Sequence, residues 1–522
     1  MREFNTTGLC VPWKHYMVDV SDRVEQMRAM VEHGDYFCVN RGRQYGKTTT
    51  LAALKRAVRD DYVVVNLDFQ RLSHVSFSTE GAFVRGFSRA LMRLRGVPIP
   101  ARVMSDLQRL ACRDERGLAL DELFISLEDW VAESELPVVL IVDEVDSATN
   151  NQVFLDFLAQ LRDQYLNREE DVTYPAFRSV ILAGVTDVKH LKAKIRPEGE
   201  HKVNSPWNIA ADFRVDMSFS EADVAGMLAE YEADHATGMD VEALSREIVG
   251  WTGGYPFLVS RVCQLVDEGG VPWDVVGVGD AVRLLLKDNE VSLFQSLTGK
   301  LVNYPDLKEA LRAILMRGET LDYAPYDEAQ QQLRMYGFIS ERAGKVVVAN
   351  RVFETLLYDH FLYEERSSPM RAEGDLGRSL YARGGRLDMR AVLEGFRRAY
   401  VEVFGPPEEG RKFCEEEGRK QFLLFLKPII NGTGNYYVEA QTRDRTRTDV
   451  VVDYAGERHV VELKVWRGPA YNEDGETQLA GYLESLGLST GYLLTFSFNK
   501  RKKDPGIRRV EVDGKILWEE IV

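Results

Sequence analysis

The chain is poor in cysteine and histidine and has no long apolar run, and each shortage removes a class of protein. Its 522 residues include 5 cysteines and 8 histidines. Cys10, Cys38, Cys112, Cys263 and Cys414 are scattered, with no CxxC pair and no Cys/His cluster, which excludes a zinc module and a disulfide scaffold. The expectation is reduced thiols in the cytoplasm. No apolar stretch approaches the roughly 18 residues of a membrane-spanning helix, and Met1-Arg2-Glu3-Phe4-Asn5 lacks the apolar core of a signal peptide. No membrane partner is expected. Positive charge is also short: 66 Lys and Arg against 82 Asp and Glu, a net charge of -16. General electrostatic adhesion to nucleic acid is excluded. Nucleic-acid contact must use local clusters such as Arg443-Arg445-Arg447 or Lys500-Arg501-Lys502-Lys503, which otherwise read as solvated faces. What is present, 45% hydrophobic and 28% charged residues, is the composition of a globular protein too long for one core, with about two to four domains.

The chain is organised around Cys38-Val39-Asn40-Arg41-Gly42-Arg43-Gln44-Tyr45-Gly46-Lys47-Thr48-Thr49-Thr50. A short apolar run from Tyr36 to Val39 stops at a loop ending Gly-Lys-Thr, and a helical pattern (Leu51, Leu54, Val58) follows. Strand, loop and helix in that order form a phosphate-binding P-loop, whose backbone N–H groups and helix N-terminus hold an anion. Arg43, Gln44, Tyr45, Gly46, Lys47, Thr48 and Thr49 are the nucleotide-binding candidates. Lys47 would reach the outer phosphates and the Thr48 hydroxyl would hold Mg2+. The usual first glycine is replaced by Arg41, with Gly42 beside it. Either the loop is shifted by one residue or an arginine lies along the phosphates.

Further apolar runs predict a buried parallel sheet. Tyr62–Asp68 is rich in β-branched residues, and Pro137–Val142 runs unbroken into Asp143-Glu144-Val145-Asp146, as a strand covered on both faces does. Ligands bind beyond the carboxyl ends of such strands. Asp143 is therefore placed on Mg2+, and Glu144 on the attacking water as orienter or base; the alternative is a pair of carboxylates at a helix N-terminus. Arg178–Val185 ends at Thr186-Asp187, where Thr186 either senses the γ-phosphate or caps the next helix. Asp212–Met217 is a fifth strand candidate. Residues 80–135 and 220–268 read as helical, the latter broken at Gly253-Gly254-Tyr255-Pro256. Strands alternating with helices imply a doubly wound α/β sheet.

Residues 4–360 resemble the AAA-like ATPases of bacteria and archaea, near the signal-transducing STAND and archaeal-ATPase branch. The resemblance rests on Arg-Gln-Tyr-Gly-Lys-Thr-Thr (43–49), Val-Asp-Glu-Val-Asp (142–146), Ser-Pro-Trp-Asn-Ile-Ala (205–210) and Gly-Gly-Tyr-Pro (253–256). It implies ATP with Mg2+ as cofactor, a first P-loop glycine that is often missing, and a lid motif at Gly253–Pro256 that contacts nucleotide. The opening, Phe4 to Met17, would pack beside the base. No arginine finger follows; Arg178 and Arg196 are candidates without a motif. Helix, short strand, turn and second strand between Tyr304 and His360 suggest a winged helix, and its mixed charge points to packing rather than DNA reading.

A polar stretch with a proline, Glu364–Pro369, followed by glycines from Gly374 to Gly385, reads as a linker. Beyond it, helical patterns at 389–404 and 411–426 precede two β-rich runs, Arg447–Tyr454 and Glu457–Trp466, separated by Ala455-Gly456. Two residues joining two such runs predict a hairpin. If Tyr454 pairs with Glu457, counting back sets Asp449 opposite Glu462, and alternation puts Lys464 on the same face as Glu462. Directly opposed residues lie about 4.5–5.5 Å apart, so the two carboxylates repel unless a cation such as Mg2+ or Mn2+ joins them. A bulged turn would shift the register by one and spoil the match.

Asp449 followed by Glu462-x-Lys464 resembles the PD-(D/E)XK nuclease superfamily, its RecB-like branch in particular. Glu416-Glu417-Gly418-Arg419 looks like the family's first acidic motif, with Glu416 or Glu417 the acid. Gln478-Leu479-Ala480-Gly481-Tyr482 is similar to the Gln-x-x-x-Tyr helix, and Phe425–Gly432 resembles nuclease domains fused to AAA-like ATPases. Thr448 stands where the family name has proline. The resemblance implies a divalent ion held by Asp449, Glu462, the Leu463 carbonyl and Glu416 or Glu417, with Lys464 on the water and Gln478 and Tyr482 on the phosphate.

The expected organisation is an ATPase with helical lid at 1–300, a winged-helix segment at 301–366, a linker at 367–387 and a smaller α/β restriction-endonuclease-like domain at 388–522. The expected function is an ATP-dependent switch coupled to a nuclease, acting on DNA before RNA, in defence or mobile-element biology; homo-oligomerisation stays open. The alternative is a nucleotide-switched scaffold that binds a protein partner and keeps an inactive nuclease fold.

Overall fold

The computed structural model describes residues 2–185, 188, 206–288, 291–317, 319–405, 413–438, 450–466, 469–498 and 506–522. The chain divides into two compact units: Met1–Val249, Gly254–Val278 and Met335–Gly337 in the first, Gly250–Gly253, Gly279–Arg334 and Phe338–Val522 in the second. Among the described residues, no helix is long and apolar enough to cross a membrane.

The first unit opens with a parallel two-strand ribbon, β1 (Glu3–Phe4) and β2 (His15–Tyr16), followed by α1 (Ser21–His33). Its centre is built from β3 (Phe37–Asn40), α2 (Lys47–Val58), β4 (Val63–Asp68), α3 (Glu80–Met92), α4 (Ala101–Cys112), α5 (Leu120–Glu133), β5 (Val138–Asp143), α6 (Gln152–Glu170) and β6 (Ser179–Gly184). The strands run parallel in the order β3-β6-β5-β4. Their unbroken apolar runs have a physical reason: alternate residues serve two cores. Tyr36, Cys38, Val138, Leu140 and Val142 join an aromatic cluster with Phe69, Phe83, Phe87 and Phe157. Phe37, Val39, Val139 and Ile141 face the opposite way, onto Leu51, Leu54 and Val58 of α2 and Met27 and Val31 of α1.

The expected fifth strand is absent. Only Ala211 bridges to Phe37, and residues 212–217 are irregular. Two arginines take the carbonyls that a sheet would have used: Arg41 Nη2 donates to Val215 O at 2.8 Å, and Arg23 Nε donates to Asp216 O at 3.0 Å. Helices α7 (Glu221–His235), α8 (Val241–Thr252), α9 (Pro256–Gly269) and α10 (Val275–Lys287) follow. A Ser220–Asp223 capping box starts α7, and Pro256 starts α9 at the turn where a missing N–H is harmless.

The second unit contains α11 (Ser292–Asn303), α12 (Pro305–Arg317), α13 (Glu328–Met335, its last residue assigned to the first unit), the antiparallel pair β7 (Ile339–Arg342) and β8 (Lys345–Val348), and α14 (Arg351–Glu364). Where a linker is predicted, α15 (Pro369–Tyr381) and the short pair β9 (Ala382–Arg383) and β10 (Arg386–Leu387) stand instead. Two of the glycines that suggest flexibility are places of close packing. A Cβ on Gly374 would lie 2.0 Å from the Phe425 carbonyl oxygen, and one on Gly377 would lie 2.2 Å from the Tyr381 ring.

Helices α16 (Met389–Phe404) and α17 (Glu415–Ile430) lead into β11 (Gly434–Val438), β12 (Val450–Tyr454), β13 (Glu457–Val465), α18 (Pro469–Ser485), β14 (Thr490–Phe496), β15 (Arg508–Val512) and β16 (Lys515–Ile521). The six strands form one mixed sheet in the order β11-β12-β13-β14-β16-β15. Phe496 meets Phe396 of α16 on one face, and Gly491 takes Leu479 and Leu483 of α18 on the other. A two-residue turn with left-handed backbone at both Ala455 (φ 50°) and Gly456 (φ 84°) joins β12 to β13, the geometry that matches strand twist.

Candidate functional sites: a phosphate loop and a buried carboxylate–lysine pair

The loop between β3 and α2 has left-handed backbone at Gln44 (φ 55°) and Gly46 (φ 78°) before the helix starts at Lys47. Such alternation of backbone hand makes a concave run of N–H groups suited to anions. Gly42 supplies the missing small residue one place late: a Cβ there would lie 3.2 Å from both the Tyr255 hydroxyl and the Tyr336 carbonyl oxygen. Arg41 is turned away, donating to Asn40 O and Val215 O at 2.8 Å each with its guanidinium over the Phe213 ring. It braces residues 213–215 here, pointing away from the loop's concave side.

Lys47, buried, donates through Nζ to Arg41 O and Gly42 O at 3.0 Å each. Burial lowers its ammonium below its ordinary pKa, against the pull of Glu144, Asp146 and Asp143. Thr48 Oγ1, exposed, donates to Asp143 Oδ2 at 2.9 Å. Glu144 follows in left-handed backbone (φ 55°), and burial raises its carboxyl above the usual carboxylate range. Asp146 Oδ2 accepts the Val185 N–H at 2.7 Å, tying the end of β6 to the loop after β5. Lys47, Thr48, Asp143 and Glu144 are thus brought together at the carboxyl ends of β3 and β5. Thr186 and Arg196 lie outside the described residues. Arg178 is not at this site: it precedes β6, at the opposite end of the strand, and its guanidinium donates to Glu32 O.

Beside the loop lies a mostly apolar pocket with about 740 Å³ of empty space, open mouth included. Tyr45, Gly46 and Thr49 from the loop and α2, Met17 and Val18 from the N-terminal segment, and Pro256 of α9 are among its walls. The backbone N–H of Cys10 donates to Thr49 Oγ1 at 3.2 Å, fastening the N-terminal segment to α2. Tyr45 Oη shares a hydrogen bond with Ser218 Oγ at 2.7 Å, and its ring meets Tyr255 edge-on at 4.6 Å.

In the second unit, the pairing of β12 with β13 runs from Tyr454↔Glu457 to Val450↔Val461. Asp449 lies outside the described residues. Glu462 and Lys464 stand on one face of β13, with 1% and 7% of their surface exposed, and Lys464 Nζ lies 2.8 Å from Glu462 Oε1. Leu463 between them is buried in the apolar core. Helix α18 crosses close above: a Cβ on Gly475 would sit 3.1 Å from Lys464 Cε. Gln478 and Tyr482 are half-buried on that helix.

Two features of this site went unread in the sequence. Glu415, not Glu416 or Glu417, is the buried acid of α17, and its Oε1 accepts the Val465 N–H at 3.3 Å; Glu416 and Glu417 are half-buried. A run of three glutamates gives no phase to choose among them. Further along the same sheet face, Glu519 accepts from Thr495 Oγ1 at 2.8 Å and pairs with Arg508, which also reaches Glu476 at 3.0 Å. Among the described residues, no three Asp, Glu, His or Cys side chains converge in a way that could hold a metal ion.

Fold and loop geometry together define a P-loop nucleotide-binding protein on an α/β sheet. The profile of the AAA-like domain family matches residues 14–362 of the 522, and the chain belongs to that family. An uncharacterized WD repeat-containing protein of Synechocystis is 22% identical over 360 residues. That stretch is 65% of this chain and only 29% of the relative, so the chain spans less than a third of that protein's length. Among solved structures, a Walker-type ATPase of Pyrococcus abyssi is 15% identical, covering 68% of this chain and 99% of its own, at a TM-score of 0.47. Cdc6p from Pyrobaculum aerophilum is 14% identical, covering 68% and 97%, at a TM-score of 0.32.

Proposed function

We propose that this AAA-like ATPase is a nucleotide-controlled, metal-dependent nuclease, with ATP bound in the first unit and nucleic acid, DNA before RNA, cut in the second. Family membership supports ATP use. The donor set supports the cation: an exposed Thr48 hydroxyl beside the Asp143 carboxylate offers the hard oxygen ligands Mg2+ takes. In this reading Lys47 leaves the Arg41 and Gly42 carbonyls for the outer phosphates, the pocket beside Tyr45 takes the base, and Glu144 orients or deprotonates water. Burial raises the Glu144 carboxyl above the usual carboxylate range, which makes it a stronger base than an exposed glutamate.

The observation that carries the nuclease half is the buried Glu462–Lys464 pair on one face of an interior strand. Burying two charges is costly, and replacing such a pair with apolar residues is often neutral or stabilising. A pair kept there next to a helix carrying Gln478 and Tyr482 suits chemistry better than stability. The reading extends the β12–β13 ladder one rung, setting Asp449 opposite Glu462. The two carboxylates, with the Leu463 carbonyl, would then hold Mg2+ or Mn2+. Such an ion supplies a lowered water pKa and charge stabilisation at phosphorus. Lys464 would hold the water, Gln478 and Tyr482 the phosphate, and Glu415 would fix the end of β13 through Val465.

The test is incubation of the purified chain with linear, nicked and single-stranded DNA and with RNA, with Mg2+, with Mn2+ or with EDTA. Metal-dependent cleavage lost in Asp449→Asn and Lys464→Ala supports the reading. No cleavage of any substrate under any nucleotide condition, or cleavage undiminished in both variants, contradicts it.

A further inference from the structure

The six-stranded sheet of the second unit ends at β15, which pairs with β16 on one side and, among the described residues, with no strand on the other. The two-residue turn joining them has left-handed backbone at both Asp513 (φ 48°) and Gly514 (φ 76°). The pair closing such a turn, Val512 and Lys515, exchanges both ladder hydrogen bonds, and so does every second pair beyond it. Val512, Val510 and Arg508 therefore direct their backbone groups at β16. Arg509 and Glu511 turn theirs to the open side.

The strand is ordered before any partner arrives. Arg508 pairs with Glu519 of β16 and, at 3.0 Å, with Glu476 of α18, while Val510 and Val512 are half-buried. The side chains of Arg509 and Glu511 project from the opposite face. They are 49% and 60% exposed and lie 3.1 Å apart. A rigid strand with open backbone groups is a template for another strand, and charge is the usual guard against that. A guard of one sign would repel a second copy. This edge carries one charge of each sign, two residues apart.

An antiparallel copy bonds to this edge only in registers that set outward-facing residues opposite one another. Arg509 opposite Arg509, or Glu511 opposite Glu511, brings like charges together and is destabilising. The register centred on Val510 avoids both. There Arg509 faces Glu511 of the second copy, Glu511 faces its Arg509, and each pair exchanges both backbone hydrogen bonds. Val510 meets its own counterpart on the other face.

We propose that β15 is a self-association edge, through which two copies of this chain pair antiparallel about Val510 and continue one sheet into the other. A strand of 5 residues is small, against the roughly 1,600 Å² of a standard interface. The dimer is accordingly weak, with a dissociation constant on the order of 10 µM.

Sedimentation velocity of the full chain, without nucleotide or DNA and from about 1 to 100 µM, tests this. Wild type should pass from monomer to dimer across that range. Glu511→Arg and Arg509→Glu each make both facing pairs like-charged and should weaken association by about tenfold or more. An equimolar mixture of the two variants sets opposite charges at both facing pairs, and it should associate as wild type does. The double exchange Arg509→Glu/Glu511→Arg should do the same on its own. A wild type that stays monomeric throughout overturns the pairing and leaves the edge to a strand of another protein. A dimer untouched by both single variants lies on another surface and overturns it equally. Failure of the mixture to recover overturns the register. Neither hydrolysis nor cleavage enters the measurement, so its outcome is independent of the proposed function.

Discussion

Thr48 Oγ1 donates to Asp143 Oδ2 at 2.9 Å, so the start of α2 and the end of β5 are already joined at the point where a nucleotide-bound cation would sit. Lys47 is close by, its ammonium on two loop carbonyls. Removing that ammonium deletes a charged contact worth about 3 kcal/mol, roughly 100-fold in affinity. Lys47→Ala is expected to lose Mg·ATP binding on that scale in a calorimetric titration. Glu144→Gln should bind normally and fail to hydrolyse. Undiminished hydrolysis by Lys47→Ala would sink this assignment.

The pH dependence of hydrolysis follows from Glu144. Burial holds its carboxyl above the ordinary carboxylate range, and a base must be deprotonated to act. Turnover should therefore fall as pH drops through that raised pKa, at a higher pH than an exposed glutamate would give. A rate that stays flat down to the ordinary carboxylate range would exclude Glu144 as the base.

The Glu462–Lys464 pair predicts an asymmetry between single and double substitution. Lys464→Ala leaves the Glu462 carboxylate buried without that ammonium, at a cost of about 3–5 kcal/mol. Glu462→Gln combined with Lys464→Met should recover most of it. Thermal melting of the metal-free protein reads both. If Asp449 stands opposite Glu462 as proposed, Asp449→Asn should behave in the opposite sense, leaving metal-free stability unchanged or raised, because it would relieve repulsion between the two carboxylates.

Gly374 tests whether residues 369–381 are a packed helix or a flexible tether. A methyl group there would lie 2.0 Å from a backbone oxygen of α17, and overpacking of this kind costs about 1–3 kcal/mol or more. Gly374→Ala should lower the melting temperature. Gly385→Ala is the informative partner: its strain is conformational only (φ 80°), with open space around the Cβ.

How legible each part was depended on whether a residue's local signal matched its tertiary use. The runs at Phe37–Val39 and Val138–Val142 were readable because every residue is apolar, and both faces of that sheet are covered. The hairpin turn at Ala455-Gly456 was readable because a two-residue link with glycine between β-rich runs suits a tight primed turn, and both residues take left-handed backbone. Asp212–Met217 has strand-like composition, yet Arg23 and Arg41 capture its carbonyls, a long-range event with no local sign. Gly374 and Gly377 read as linker because glycine usually marks one, whereas here each admits a neighbouring carbonyl or ring. The edge strand Arg508–Val512 is largely exposed and charged, which conceals it; its Arg508 reaches Glu519 and Glu476 on other elements.

The most direct test of the account is the rate of linear DNA cleavage in Mg2+ or Mn2+, measured with and without ATP for wild type, Lys47→Ala and Asp449→Asn. The account predicts wild-type cleavage that changes with ATP, a Lys47→Ala rate indifferent to ATP, and no cleavage by Asp449→Asn under any condition. Cleavage by Asp449→Asn at the wild-type rate, or an ATP response retained by Lys47→Ala, would contradict it.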